Sequence, residues 1–309
     1  MRIAVMGAGG TGGYFGALLA RAGEEVTFIA RGAHLEAIRT HGLTVKSRLA
    51  GDFTLPVKAT GDPGEVGAVE LVLFCVKTYD TATAADQLRP LVGRDTVVLS
   101  VQNGIDNEEQ IGRVVGREPV IGAAAYVSSV IEAPGVIAQT AGPGKIAFGE
   151  LAGGPSPRTE RLRSTFQRAG IAAELCPDIR ITLWEKFLFI CALSGITALT
   201  RLPIGPILAC PETSALLRGT MEEVEAVARA SGITLPDRCV DEAFAFVTRL
   251  ESSLRGSIYY DLTAGRRLEL EVLNGTVVRL GREHGISTPL NFAIYAALKP
   301  YSDGAPDQP

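Results

Sequence analysis

An α/β domain followed by an all-α domain is the fold class this sequence predicts, and three observations carry it. The amino-terminal half alternates short apolar runs with helical patterns. A glycine-rich turn separates the first apolar run from the first helix. From Asp178 onward the pattern is helical alone.

Ile3–Met6 is a short continuous apolar run, as a strand buried on both faces requires. Gly7-x-Gly9-x-x-Gly12 then opens a helix to about Ala22, where Gly23 can act as the left-handed stop, and Val26–Ala30 forms the second strand. In such a turn Gly7 allows the sharp bend, Gly9 lets backbone approach a pyrophosphate, and Gly12 lets helix pack close to strand. The free N–H groups of the helix start would hold phosphate charge. Gly7, Ala8, Gly9, Gly10, Thr11 and Gly12 are therefore the expected cofactor loop of a Rossmann-type dinucleotide-binding domain.

The second strand ends "FIAR", with Arg31 and no carboxylate until Glu36. An arginine fork suits a ribose 2′-phosphate where a carboxylate would suit a 2′-hydroxyl, so NADPH is the expected cofactor. Strands over Val69–Val76 and Thr96–Val101 end at Lys77 and at Gln102-Asn103-Gly104. Ligands of open α/β sheets sit beyond the carboxyl ends of the strands, which brings Lys77 and Asn103 toward the nicotinamide end. The alternatives are a solvated loop lysine and an ordinary Asn-Gly turn. Beyond "VIGAAAYVSS", two extended pieces, Gly135–Thr140 and Lys145–Phe148, flank an expected turn at 141–144. A helix to about Ala169 and a strand over Ile171–Leu175 complete a domain of residues 1–178.

A helical domain is expected over 179–301, with a frayed tail at 302–309. Asp178 can N-cap its first helix, which runs to about Ser194 with Gly195 as stop. Further helices are expected over 213–230, 238–251, 268–284 and 289–298, the last with Thr288 as N-cap and Pro289 in its first turn.

The first of these helices, "LWEKFLFICALSGITAL", poses a chemical question, because it buries one cation, Lys186, in the most apolar stretch of the chain. Such a lysine either snorkels along its own stem or is held for chemistry. Lys186 and Ile190 share a helical face, with Ser194 a turn further at the helix end. The later stretch "SIYYDLTAGRRLELEVLNG" supplies Ser257, Asp261, Glu269 and Asn274. A protonated lysine can donate to a ketone oxygen as hydride arrives, and a nearby glutamate can hold the ammonium; a solvated helical glutamate is the alternative for Glu269.

Bulk properties exclude other classes. A formal charge of −4 and a pI near 5.6 give no basic field for nucleic acid or an anionic membrane. No uninterrupted apolar run reaches about 18 residues, and the strand pattern directly after Met1 argues against a secretory leader. The 5 cysteines lack any C-x-x-C spacing, and His34, His41 and His284 are dispersed, so reduced thiols in the cytoplasm and no metal are expected. The expected partner is a small molecule, with a homodimer the one assembly left open.

The stretches "GAGGTGG", "CVKTYD", "SVQNGIDNEE", "LWEKF", "LTAGRRLELEVLNG" and "GREHGISTP" together resemble the ketopantoate reductase (2-dehydropantoate 2-reductase) family, in order from Met1 to about Pro289. The resemblance implies NADPH-dependent reduction of 2-dehydropantoate to pantoate, on the way to coenzyme A. It matches the family's catalytic lysine to Lys186, its cofactor lysine and asparagine to Lys77 and Asn103, its substrate serine to Ser257 and its carboxylate to Glu269. Ser128 falls where the family contacts the cofactor. Where well-studied members carry three asparagines, this chain has Ile190, Ser194 and Ile204. That departure makes a relative acting on a different or more apolar keto acid the alternative to 2-dehydropantoate reduction; an NADPH-binding sensor without turnover is a further alternative.

Overall fold

The computed structural model describes residues 1–306. It divides into two compact units: Met1–Gln102 with Asp106–Thr182, and Asn103–Ile105 with the chain from Leu183 onward.

The first unit holds β1 (Arg2–Met6), α1 (Gly10–Arg21), β2 (Glu25–Ile29), α2 (Gly32–His41), β3 (Leu43–Ser47), β4 (Phe53–Leu55), β5 (Lys58–Thr60) and β6 (Val69–Phe74). It continues through α3 (Thr81–Asp86), β7 (Val92–Ser100), α4 (Asn107–Val115), β8 (Val120–Ala133), β9 (Val136–Gly149), α5 (Pro157–Arg168) and β10 (Ala172–Leu175). One sheet runs β4-β3-β9-β8-β7-β6-β1-β2-β5, with β10 against β9. The stretch from β8 through β7, β6 and β1 to β2 and β5 is parallel, and β8 pairs with β9 antiparallel.

Alternate residues of β1 serve opposite faces, which is why the strand reads as continuously apolar. Ile3 and Val5 join the core under α1, with Phe15, Leu18 and Leu19. Ala4 and Met6 join the core under α3 and α4, with Ala84, Leu88 and Ile111. Each fully buried Val, Leu, Ile, Phe or Met among them contributes about 1.5–3 kcal/mol. The two extended pieces expected around 141–144 are one strand, β9. Its pairing with β8 shifts register between Tyr126 and Ser128 and again at Ser129, so the glycine-rich stretch, with Gly142 and Gly144 at φ +82° and +65°, is absorbed as an irregularity instead of reversing the chain.

The remaining helices are α6 (Ile179–Thr200), α7 (Ile204–Ala209), α8 (Pro211–Ala230), α9 (Cys239–Thr248), α10 (Ser257–Thr263), α11 (Thr276–His284) and α12 (Pro289–Leu298). Asp178 caps α6 as expected, its carboxylate accepting from Arg180 N at 3.0 Å, and the Arg180 guanidinium holds that carboxyl below its usual range. Gly195, however, is not a stop. A side chain there would meet Ile294 at 2.8 Å and Asn274 at 3.0 Å, so this glycine is a contact surface within a continuing helix. The helix ends at Thr200, followed by Arg201 in the left-handed region at φ +62° and by Pro203.

The helix expected from 268 begins only at a π turn, Glu271–Gly275, which leads into α11. The side chain of Thr288 makes no cap bond to α12. The carboxylate of Glu223, on α8, accepts from Leu290 N and Asn291 N at 2.8 Å each, so the start of α12 is capped from another helix. The tail expected to fray from 302 is bonded further along: Leu268 N donates to Ser302 O, and Ala305 N to Gly265 O. Residues 307–309 lie outside the described residues.

Helix α6 is long and apolar enough to cross a membrane by length and composition, with mean hydropathy 1.4 over its most apolar window, but 72% of that window is buried within the protein. Burial pushes the Cys191 thiol on it upward. None of the five cysteines forms a disulfide, and the described residues contain no group of three His, Cys, Asp or Glu placed to hold a metal.

Candidate active site

The glycine turn in the first unit has the shape its sequence asks for. Gly7 stands at φ +100°, and a side chain there would strike Val76 N at 2.9 Å. One at Gly12 would strike Gly7 O at 2.1 Å, which is the close helix-to-strand approach. At Gly9 nothing lies within 4 Å, so the turn is open where a phosphate would approach. Gly9 is also the N-cap of α1 and offers no side chain to the first amides of that helix, leaving them to a ligand. The residues fit a dinucleotide pyrophosphate.

Two features of this turn were not legible in its motif. A side chain at Gly10 would meet Ser129 O at 2.0 Å, so the bulged part of β8 closes one side of the loop. Ser128, the expected cofactor contact, accepts through Oγ and its carbonyl from Thr140, and Ser129 Oγ beside it is buried without a protein partner. His34 buttresses the loop from below: its Nε2 donates to Ala8 O at 2.8 Å and its Nδ1 accepts from Gly135 N at 3.0 Å. A bond to Nδ1 requires the neutral ring, and burial together with that geometry holds the pKa of His34 below its usual 6.5, against the pull of the Ala8 carbonyl.

The folded state therefore binds fewer protons here than the unfolded chain. The stability contributed by His34 is complete above about pH 6.5 and declines as the pH falls toward the folded-state value. Thermal midpoints measured at about pH 7.5 and about pH 5.5, above the carboxylate range, should show a drop that shrinks in His34→Gln. An equal drop in both proteins would remove His34 as the cause.

Arg31, at the end of β2, is the N-cap residue of α2 and is 79% exposed through its side chain. Its guanidinium pairs with Asp80 at 2.8 Å. The carboxylate absent after β2 thus arrives from the end of β6, three residues beyond the half-buried Lys77. Gln102, at the end of β7, ties these strand ends together by donating to Val76 O and to Thr81 Oγ1 at 2.9 Å each. A cavity of about 380 Å³ at the opposite, amino ends of β1 and β2 is lined by Arg2, Glu25, Lys58 and Glu65. Its charged side chains are engaged with protein partners, and it lies away from the glycine turn.

In the second unit, α6 carries Lys186 at 7% exposure, Ile190 half-buried and Ser194 at 1%. Because α6 runs on to Thr200, Ser194 lies within the helix and not at its end, as the sequence had implied. The start of α10 presses on it: a side chain at Gly256 would meet Ser194 Oγ at 2.6 Å, and Gly256 N donates to Thr197 Oγ1. The neighbouring Ser257 Oγ is buried without a protein partner. Glu269, 6% exposed, directly precedes the π turn. From within that turn Asn274 donates to Asn291 Oδ1 at 2.9 Å and to Cys191 O on α6, locking the turn to the lysine helix. Asp261 is buried and paired with Arg266 at 2.9 Å, a structural role. Ile204, fully buried at the start of α7, donates through its backbone to Leu254 O. Asn103 groups with this unit and not with the glycine turn.

Fold and residues together define a class, an oxidoreductase built on a dinucleotide-binding sheet. The model for the ketopantoate reductase PanE/ApbA family matches residues 3–153, and that for the family's C-terminal part matches residues 178–302, so the chain belongs to this family. A 2-dehydropantoate 2-reductase of Mesorhizobium japonicum is 32% identical over 97% of this chain and 97% of its own length. Among solved structures, the 2-dehydropantoate 2-reductase of Geobacter metallireducens GS-15 is 36% identical with TM-score 0.90, covering 97% of this chain and 99% of that one. A PanE/ApbA family ketopantoate reductase from Ralstonia eutropha JMP134 is 35% identical with TM-score 0.90, covering 98% of each chain.

Proposed function

We propose that the protein reduces a 2-oxo acid of the 2-dehydropantoate type to its 2-hydroxy acid with NADPH, with Lys186 as proton donor. The carrying observation is an ammonium group 7% exposed in the apolar α6, in the unit where Ser257 Oγ is buried without a protein partner. A protein that only binds cofactor has no use for either. The names of the relatives support the substrate class.

Gly7 to Gly12 and the first amides of α1 would hold the pyrophosphate, Arg31 the 2′-phosphate, and Lys77 and Asn103 the nicotinamide end; the cofactor, when bound, would supply hydride. Lys186 donates its proton to the carbonyl oxygen as negative charge develops there, and its charge attracts the substrate carboxylate. Glu269 keeps the ammonium in place, and Ser257 Oγ donates to the substrate. One hydride and one proton convert the ketone to the alcohol. The test is oxidation of NADPH by the purified protein across a panel of 2-oxo acids, with the 2-hydroxy acid identified as product. Absence of turnover with every acid would leave the sensor reading.

NADPH should bind more tightly than NADH. Because the Arg31 side chain is so exposed, Arg31→Ala should narrow that preference only about fivefold. Equal affinity for both cofactors in the wild type would sink the assignment of Arg31.

A second reading is favoured by Ile190, Ser194 and Ile204, which replace three amides with two apolar side chains and a shorter hydroxyl. On that reading the preferred 2-oxo acid is more apolar than 2-dehydropantoate. On this reading the protein acts in the cytoplasm on a small molecule, with neither nucleic acid nor membrane as partner.

A further inference from the structure

The Arg31–Asp80 pair has consequences for the choice of cofactor. We infer that Asp80 is a specificity-determining residue that limits this protein's preference for NADPH over NADH by competing with the ribose 2′-phosphate for Arg31. The inference rests on the reading of Arg31 as the 2′-phosphate partner. Arg31 stands two residues beyond β2, at the N-cap of α2, where the ribose of a dinucleotide lies in this fold. Asp80 closes the short turn after β6, and its carboxylate oxygen stands 2.8 Å from the guanidinium.

The two side chains are 79% and 34% exposed, so their mutual attraction is weak and a phosphate, with greater charge and more acceptor oxygens, can displace the carboxylate. Displacement does not remove Asp80. Its charge remains within a few ångströms of the incoming dianion and opposes it, an interaction within the range that salt leaves unscreened. NADH carries a 2′-hydroxyl, leaves the pair intact and meets no such opposition. Asp80 therefore penalises one cofactor and spares the other. No side chain needs to move for NADH, whereas Arg31 must change partner for NADPH.

The test is titration calorimetry of the full chain with NADPH, NADH, 2′-phosphoadenosine 5′-phosphate and 5′-AMP, in the wild type, Asp80→Asn, Arg31→Ala and the double variant. The two adenosine fragments isolate the 2′-phosphate from any chemistry at the nicotinamide. Asp80→Asn should tighten NADPH and the 2′-phosphorylated fragment about threefold while leaving NADH and 5′-AMP unchanged, and the gain should shrink in the Arg31→Ala background. A structural role for Asp80 would move all four ligands together and overturn the inference. So would an unchanged or weakened affinity for the 2′-phosphorylated ligands in Asp80→Asn. If Arg31→Ala still narrows the preference in that case, the reading of Arg31 stands and only the role of Asp80 falls. If Arg31→Ala leaves the preference unaltered, the underlying reading fails whatever Asp80→Asn does.

Discussion

Lys186→Ala should lower turnover on every accepted 2-oxo acid by at least about a hundredfold while leaving cofactor affinity unchanged, the loss expected when a positioned general acid is removed. The competing explanation is a lysine that merely lays its methylene stem along apolar surface with its charge in water. Its 7% exposure speaks against that explanation, since a snorkelling head stays wet. Position adds a second argument. Lys186 lies two turns into α6, between Trp184 and Phe187, whose rings meet edge-on at 5.5 Å. Lys186→Met separates the alternatives further, because it retains an unbranched stem and discards only the charge. The measurement is single-turnover reduction with saturating NADPH. Slow reduction in both variants with wild-type thermal midpoints assigns the loss to the proton. Normal turnover in either makes Lys186 structural.

The parts of this molecule legible in its sequence are those set by local rules. The bend at Gly7, the close approach at Gly12 and the cap at Asp178 each depend on residues a few positions apart, and all three stand where spacing puts them. What escaped depends on partners distant in the chain. Gly195 is written like a helix stop, but its missing side chain makes room for Ile294 and Asn274, about a hundred residues away or less. Thr288 is written like a cap, but Glu223 on another helix satisfies the amides first. The β2 end is written as lacking a carboxylate, and Asp80 supplies one from across the sheet. His34 carries no motif at all; only the fold sets it between Ala8 and Gly135. The candidate site is proposed from residue types, which chemistry restricts. Its supporting contacts were not legible.

Ile190→Asn should shift the ratio of kcat/KM for 2-dehydropantoate over a branched 2-oxo acid without its hydroxyl by roughly tenfold, toward 2-dehydropantoate. Ile190 stands one turn beyond Lys186 on the same face of α6 and is half-buried. On the proposed reading, a side chain there would border the keto acid that Lys186 protonates. Isoleucine offers no donor or acceptor, so a hydroxymethyl group brought against it would lose its water without replacement, at a cost of about 1–3 kcal/mol. A branched alkyl group loses nothing and gains buried area. The wild type should therefore reduce 2-dehydropantoate measurably but inefficiently, and the branched acid better. An asparagine restores one hydrogen bond and removes part of the apolar wall, which moves the two substrates in opposite directions. Discrimination by one hydroxyl is of this size when the site is built for apolar groups, and larger when it is built to bond the hydroxyl. Ser194, at 1% exposure and pressed by Gly256, is too confined to take over that bond, so the ratio should follow the residue at 190. The measurement is direct competition between the two acids in wild type and variant, read as the ratio of the two 2-hydroxy acids formed. A wild type that already prefers 2-dehydropantoate strongly would show that replacing the three asparagines leaves specificity where the family has it, and the more apolar reading would be abandoned.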